Sequence, residues 1–391
     1  MGKFSRKDFI SGLPQSITEI ILTKLPIRDA VRTSTLSKKW RYQWATMTQL
    51  IFDDKSVSLS DDRQVTEREL VNFITRFLLL HDGPIHKFKL STFNLISFAD
   101  LDQWLLFLSR KDVKKLVLNM DRWRLDYREF RTPSCIFSCQ KLIKLKLIGF
   151  EVKPPLGFQG FPCLKSFSLC GGTVAHEVVE KLISDCPLLE KIELVIDSDH
   201  ALTIRAPNLK HLTVGLSFKD VYLEHTPLLV NMLMFFSEEW EGNVLPKVPV
   251  RYDCLKFIDF EGINFQKMNQ VSYVLQLLLQ SPNLQELEID ARQLETDAVA
   301  VRLVHHEAVA LDFWKRECPA DFTFKHLKRV NMSFLSNEHD LEFIKFVLGH
   351  SPVLEVMRVS PREVYNGNMN MVNEVLHFQH ASPKVDIRFF E

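Results

Sequence analysis

Few residues in this sequence have the types and spacing to do chemistry. His305, His306 and Glu307 stand together in the run VAVRLVHHEAVALDFWKRE, and such a cluster carries donors that zinc accepts. The H-E-x-x-H spacing that would put two imidazoles on one helix face is absent, and no third ligand is placed, so a helix surface is the expected setting. Gly171-Gly172 lacks the lysine and spacing of a phosphate loop and reads as a turn between a strand and a helix. No G-x-S-x-G elbow occurs. Cys135 and Cys139 read as buried thiols. Lys141, Lys144 and Lys146 fit a solvated strand face better than a phosphate site. Asn331-Met332-Ser333 spells a glycosylation triplet, which has no consequence without secretion. Lys38, Lys39 and Arg41 are at most a weak nuclear address. No catalytic residue, cofactor or metal is expected.

The composition narrows the class further. The chain has 391 residues, 46% of them hydrophobic, with 49 basic and 49 acidic side chains. That is ample apolar surface for a folded chain, and a zero formal charge lacks the basic excess on which nucleic-acid binders rely. No apolar run approaches the roughly 20 residues of a membrane helix, and MGKFSRKDF at the start has no apolar signal core. Seven scattered cysteines, an odd number with no C-x-x-C pair, point to reduced thiols rather than a disulfide framework. The expectation is a protein of the cytosol, the nucleus or both, without nucleic-acid or membrane partners.

The elements that position these residues divide at about residue 55. From Asp8 to Phe52 the spacing predicts three short helices. Leu13-Pro14 opens the first, with Pro expected at the first helical position, and Ile17, Ile20, Ile21 and Leu25 form one apolar stripe along it. Pro26 stops that helix and starts a second, carrying Ala30, Val31 and Ser34 on one face; a third carries Lys38 to Trp44. So small a segment buries too little surface to be secure alone. It is expected to lean on its neighbour as a helical cap, on a partner as a docking element, or on both. Asp53 to Gln64 reads as a linker or loop, and Thr66 with Glu69 as a capping box ahead of a helix over Leu70 to Leu80.

From residue 85 onward one pattern returns: apolar, two residues, apolar, one residue, apolar. Its copies begin at Ile85, Val113, Leu142, Leu164, Leu189, Leu209, Leu229, Leu255, Leu284, Leu327 and Leu354. The intervals match the period of leucine-rich repeats, and the alternation at the last two positions is that of a strand. Pro162, Pro187, Pro207, Pro227, Pro282 and Pro352 each precede an anchor by two residues and are expected to end a helix and hold the chain extended. Helices are predicted over Val174 to Ser184, Gln270 to Gln280 and Asp340 to Gly349. The asparagine that regular repeats carry eight residues after the first anchor is missing; Phe150 and Gly172 stand there instead, so variable turns and irregular curvature are expected. Thirty phenylalanines suit uneven coils. The long interval from 284 to 327 holds an extra helix or an excursion.

The fold class expected is therefore α/β: a three-helix segment followed by an irregular solenoid of parallel strands with helices. Asp8 to Trp44, with Leu13-Pro14, Ile20, Leu22, Leu25-Pro26, Asp29-Ala30-Val31 and Leu36-Ser37-Lys38-Lys39-Trp40, resembles an F-box. Phe324 to Pro361 resembles the FBD domain at the C-terminus of many plant F-box proteins. The whole chain looks like a plant F-box/FBD/leucine-rich-repeat protein, with F-box 8–52, linker and capping helix 53–84, repeats 85–323 and an FBD-like region 324–391. The resemblance implies a non-catalytic substrate receptor of a Skp–cullin–F-box ubiquitin ligase. The F-box would dock on the Skp adaptor, and through it on the cullin and RING subunits, while the repeats hold a target protein. Carried over by position, the adaptor contacts are Leu13, Pro14, Ile17, Ile20, Ile21, Leu25, Pro26, Val31, Leu36 and Trp40, some of which must instead pack the F-box itself. A leucine-rich-repeat scaffold with no ligase linkage is the alternative, and a small-molecule pocket in the solenoid remains open as an addition.

Overall fold

The computed structural model describes residues 10, 12–56, 63–92, 99–120, 130–196, 198, 200–216, 218, 220–237, 240, 251–291, 311–334, 338–361 and 368–390. The chain forms two compact units, residues 1–188 and 189–391. His305, His306 and Glu307 lie outside the described residues.

In the first unit, α1 (Gln15–Lys24) and α2 (Ile27–Arg32) are followed by 3-10 turns at Thr33–Thr35 and Gln43–Thr46. The two prolines sit one residue earlier than expected, at the N-caps: Pro14 O accepts from the Ile17 and Thr18 amides, and Pro26 O from those of Asp29 and Ala30. The third helix expected over Lys38 to Trp44 is a run of turns ending in the 3-10 segment. The two bulky indoles, Trp40 and Trp44, turn inward there, and their burial outweighs local helix propensity.

Five parallel strands come next in this unit: Gln49–Asp53, Lys87–Ser91, Lys115–Asn119, Lys144–Ile148 and Ser166–Cys170, each paired with the one before. The helices α3 (Arg63–Leu80) and α4 (Ala99–Ser109) lie between the first three of them in sequence, and α5 (His176–Ser184) follows the last. The structure departs from expectation in two further places. Residues expected as the end of the F-box and the start of a linker are the first strand, pairing Leu50 with Phe88 and Phe52 with Leu90. Thr66 and Glu69 lie inside α3, which begins at Arg63, so they are not a capping box.

The second unit continues the pattern with Lys191–Val195, His211–Leu216, Asn231–Phe236, Phe257–Glu261, Glu286–Asp290, Arg329–Phe334, Val356–Pro361 and Asp386–Phe389, again parallel. Its helices are α6 (Met268–Leu279), α7 (Phe313–Glu317), α8 (Glu338–His350) and α9 (Asn368–His377). All eleven copies of the apolar motif are strands, and the motif's last two residues point into the core. Val330, Met332, Met357 and Val359, for example, are buried. The phenylalanines fill space between unlike coils as expected: Phe343 and Phe346 pack with Trp314 at centroid distances of 4.8 and 5.0 Å, and Phe265 stacks on Phe343 at 4.7 Å.

Two repeat features have a different physical basis from the one expected. The recurrent proline sits in a turn: α5, α6 and α8 end two or three residues before Pro187, Pro282 and Pro352, and the chain bends at the proline instead of running extended. The anchor amides of Leu164, Leu209, Leu229, Leu284 and Leu354 each donate to the carbonyl of the residue before the proline, at 3.1–3.3 Å. Proline's fixed φ is suited to the second position of such a turn. The missing asparagines are replaced by main chain. Past the strand ends Met120 donates to Ile148 O, Gly149 to Cys170 O and Ala291 to Ser333 O, so neighbouring coils satisfy each other where a side chain would otherwise be needed.

Gly160 is fixed by close approach: at φ +81° its Cβ would lie 2.0 Å from Asp185 O, whereas Gly157, also at φ +81°, faces open space. Gly160→Ala is therefore expected to cost roughly 2–4 kcal/mol and Gly157→Ala about 1 kcal/mol. Equal shifts in thermal unfolding midpoint for the two variants would refute the clash.

Candidate docking face

The F-box is built on a helix three of whose four large aliphatics face out. Thr18 and Leu22 point inward and, with Ile27, Ala30, Trp40 and Trp44, form its small core. Ile17, Ile20, Ile21 and Leu25 lie on the outer side of α1, with 42, 57, 36 and 36% of their surface exposed, and Leu36 is 61% exposed. Pro14 and Pro26 are exposed, while Leu13 and Val31 are half-buried. Branched aliphatics facing water along one short helix make this a candidate interaction surface. Trp40 is the exception among the ten carried-over residues: only 3% exposed, it packs the F-box interior and has no face to offer a partner.

This face is held rigidly to its own unit. Trp44 packs on Phe77 of α3 at 4.8 Å, and Phe77 meets Phe52 edge-on at 5.5 Å. The Thr48 hydroxyl donates to Glu19 Oε1 at 2.6 Å, and the Asp82 amide to Ala45 O at 2.9 Å. His81 Nε2 lies 2.8 Å from Met47 O, and its Nδ1 is buried without a partner. Burial holds this imidazole below its usual pKa, so the ring is neutral and donates from Nε2. The sequence pattern could have revealed this bracing: Met47, Leu50 and Phe52 repeat the spacing of the later copies, one copy earlier than the pattern was followed.

The other residues singled out for chemistry have structural settings. Burial pushes the Cys139 thiol up to about 12 and raises that of Cys135, so neither is a ready nucleophile. Gly172 sits in the turn between Ser166–Cys170 and α5, where a Cβ would meet Phe150 O. Lys141 pairs with Asp112 at 2.8 Å, and Asn331 Nδ2 donates to Glu288 Oε1 at 2.8 Å. On the second unit Asp259 is pushed up to about 6 by partial burial and by the charges of Glu261, Glu288 and Asp290. Among the described residues no group of histidine, cysteine and carboxylate side chains is arranged to hold a metal, and no helix is long and apolar enough to cross a membrane.

Comparison with known proteins agrees with this architecture. Residues 10–50 match the F-box domain model, and residues 101–252 match a model described as LRR repeats of an FBD-associated F-box protein. An F-box/FBD/LRR-repeat protein of Arabidopsis thaliana is 41% identical over 98% of this chain and 99% of its own length. A second Arabidopsis relative, an FBD-associated F-box protein, is 23% identical over 98% of this chain and all of its own. A third, an F-box/LRR-repeat protein, is 31% identical over 62% of this chain and 65% of its own. With an F-box whose aliphatic face is turned outward and a repeat array suited to holding other proteins, this chain belongs to the F-box/FBD/leucine-rich-repeat protein family.

Proposed function

We propose that this protein is the substrate-recognition subunit of a Skp–cullin–F-box ubiquitin ligase, working in the cytosol, the nucleus or both. The observation that carries the reading is the outward aliphatic stripe of α1, with Ile17, Ile20, Ile21 and Leu25 exposed beside Leu36. Burying such residues gives about 25 cal/mol for each Å² removed from water, enough for a persistent contact with a complementary groove on the Skp adaptor. The parallel strands would present an extended surface to the target. The ligase's work is then proximity: holding the target near a charged E2 raises the effective concentration of its lysines, and no residue of this chain takes part in bond chemistry.

The direct test is calorimetric titration of the purified full chain with a plant Skp adaptor. One-to-one binding is expected, followed on addition of cullin, RING subunit and E2 by ubiquitin transfer to proteins the chain has captured. A folded full chain that leaves the adaptor unbound would overturn the reading.

A further inference from the structure

The last strand of the second unit ends its sheet with one side open. Asp386–Phe389 pairs with Val356–Pro361 alone, and the Asp386 and Phe390 amides donate to Glu355 O and Val359 O, both at 3.0 Å. Along a parallel ladder alternate residues address opposite neighbours, so the N–H and C=O groups of Val385, Ile387 and Phe389 point away from Val356–Pro361. Among the described residues no strand lies on that side. The apolar column is open there too. Met357 and Val359 are fully buried, whereas Ile387 and Phe389, opposite them in register, are only half-buried. In the first unit, by contrast, Leu50 and Phe52 of the opening strand are fully buried. An uncovered edge is a template for a strand from another chain, and a solenoid end left apolar needs a cover.

We infer that this edge binds the same edge of a second copy of the chain, antiparallel, joining two sheets into one across a twofold axis. The run Val385-Asp386-Ile387-Arg388-Phe389 is complementary to itself in that direction. With Ile387 opposite Ile387 of the second copy, and Val385 opposite Phe389, the outward N–H and C=O groups of all three residues find partners. The residues between them then pair Asp386 with Arg388 of the second copy, and Arg388 with its Asp386, at the closer, non-hydrogen-bonded positions. The two nearest registers that keep the hydrogen bonds set Asp386 against Asp386 or Arg388 against Arg388, so the charges select one alignment. Asp386 and Arg388 are half exposed and bond each other at 2.7 Å. A guanidinium carries five N–H donors, so that bond leaves room for a second carboxylate. On its other side Arg388 stands opposite Arg358, a like-charge pairing that costs stability and that Asp386 of the second copy offsets. The strand is four residues long, so the interface is small and the association weak.

The test is sedimentation velocity of the purified full chain over a concentration series. Wild type is expected to show a reversible monomer–dimer equilibrium with a Kd of about 10–100 μM. Asp386→Arg and Arg388→Asp each put like charges opposite one another in the self-pair, and each should weaken dimerisation at least about tenfold. Both substitutions fall at exposed positions, so the thermal unfolding midpoint of the monomer should not move. Mixed in equal amounts, the two variants restore opposite charges at both positions and should form a heterodimer within about threefold of wild-type affinity. Ile387→Pro removes the central outward N–H and should abolish dimerisation. Wild type that stays monomeric up to about 500 μM, well above the expected Kd, would overturn the inference, as it would if the edge took a strand from a target instead. Dimerisation of Asp386→Arg as tight as wild type would place the interface elsewhere and overturn it too. So would a mixture of the two charge variants that fails to associate, because the antiparallel register requires that rescue.

Discussion

Ile17→Asp with Ile20→Asp should reduce affinity for the Skp adaptor by at least about a hundredfold and leave thermal unfolding unchanged. Both side chains are roughly half exposed, so in the free protein a carboxylate at either position stays in water at little cost. In the complex the same carboxylates would be forced into an apolar groove without partners. Central interface positions treated this way lose roughly 2–4 kcal/mol each, so the pair together exceeds the roughly 2.8 kcal/mol that makes a hundredfold at 1.4 kcal/mol per decade. Leu25→Asp with Pro26→Ala should act in the same direction. Trp40→Ala serves as the contrast. Its indole is 3% exposed, so the variant should lose about 3–5 kcal/mol of stability, and any loss of binding should track unfolding. Normal adaptor capture by the double Asp variant would show that the docking face lies elsewhere.

The second large effect is at the seam between the F-box and the repeats. Phe52 is fully buried in a ring cluster with Phe73, Phe77 and Phe88 at 6.1, 5.5 and 5.7 Å, and it lies on the first strand of the sheet. Phe52→Ala should cost about 3–5 kcal/mol, lowering the unfolding midpoint of the first unit by roughly 10 °C. Removing residues 1–52, the natural way to delete an F-box, would also strip Leu50 and leave the Lys87–Ser91 strand as an unprotected edge. Such a truncation should aggregate, so loss of target binding by it would say nothing about the F-box. The surface variants at Ile17 and Ile20 are the informative controls. A soluble, monomeric 53–391 chain with an unchanged midpoint would show that the first strand is dispensable.

Much of this fold is legible in the residue pattern. Period-2 alternation behind a fixed anchor identified eleven strands, because an apolar side chain every second residue has only one buried solution in a stack of parallel coils. Amphipathic spacing likewise located α5, α6 and α8 to within two residues. The two outermost strands were harder to see. Gln49–Asp53 follows directly on a helical motif that draws the eye to residue 52, and Asp386–Phe389 has Lys384 where the others have an apolar anchor.

Spacing fixed which residues of α1 share a stripe and left its direction open, because an apolar face satisfies the same periodicity against its own core or against a partner. Tertiary structure decided that: Leu22, Trp40 and Trp44 take the interior, leaving Ile17, Ile20, Ile21 and Leu25 outside. It also decided which charges are neighbours. Sequence placed Lys144 and Lys146 on one strand, but only strand register, set by coils of unequal length, puts Lys87, Lys89 and Lys115 beside them. Periodicity is a local property that a chain carries in its residues, whereas the outward direction of a face and the company a charge keeps depend on long-range packing.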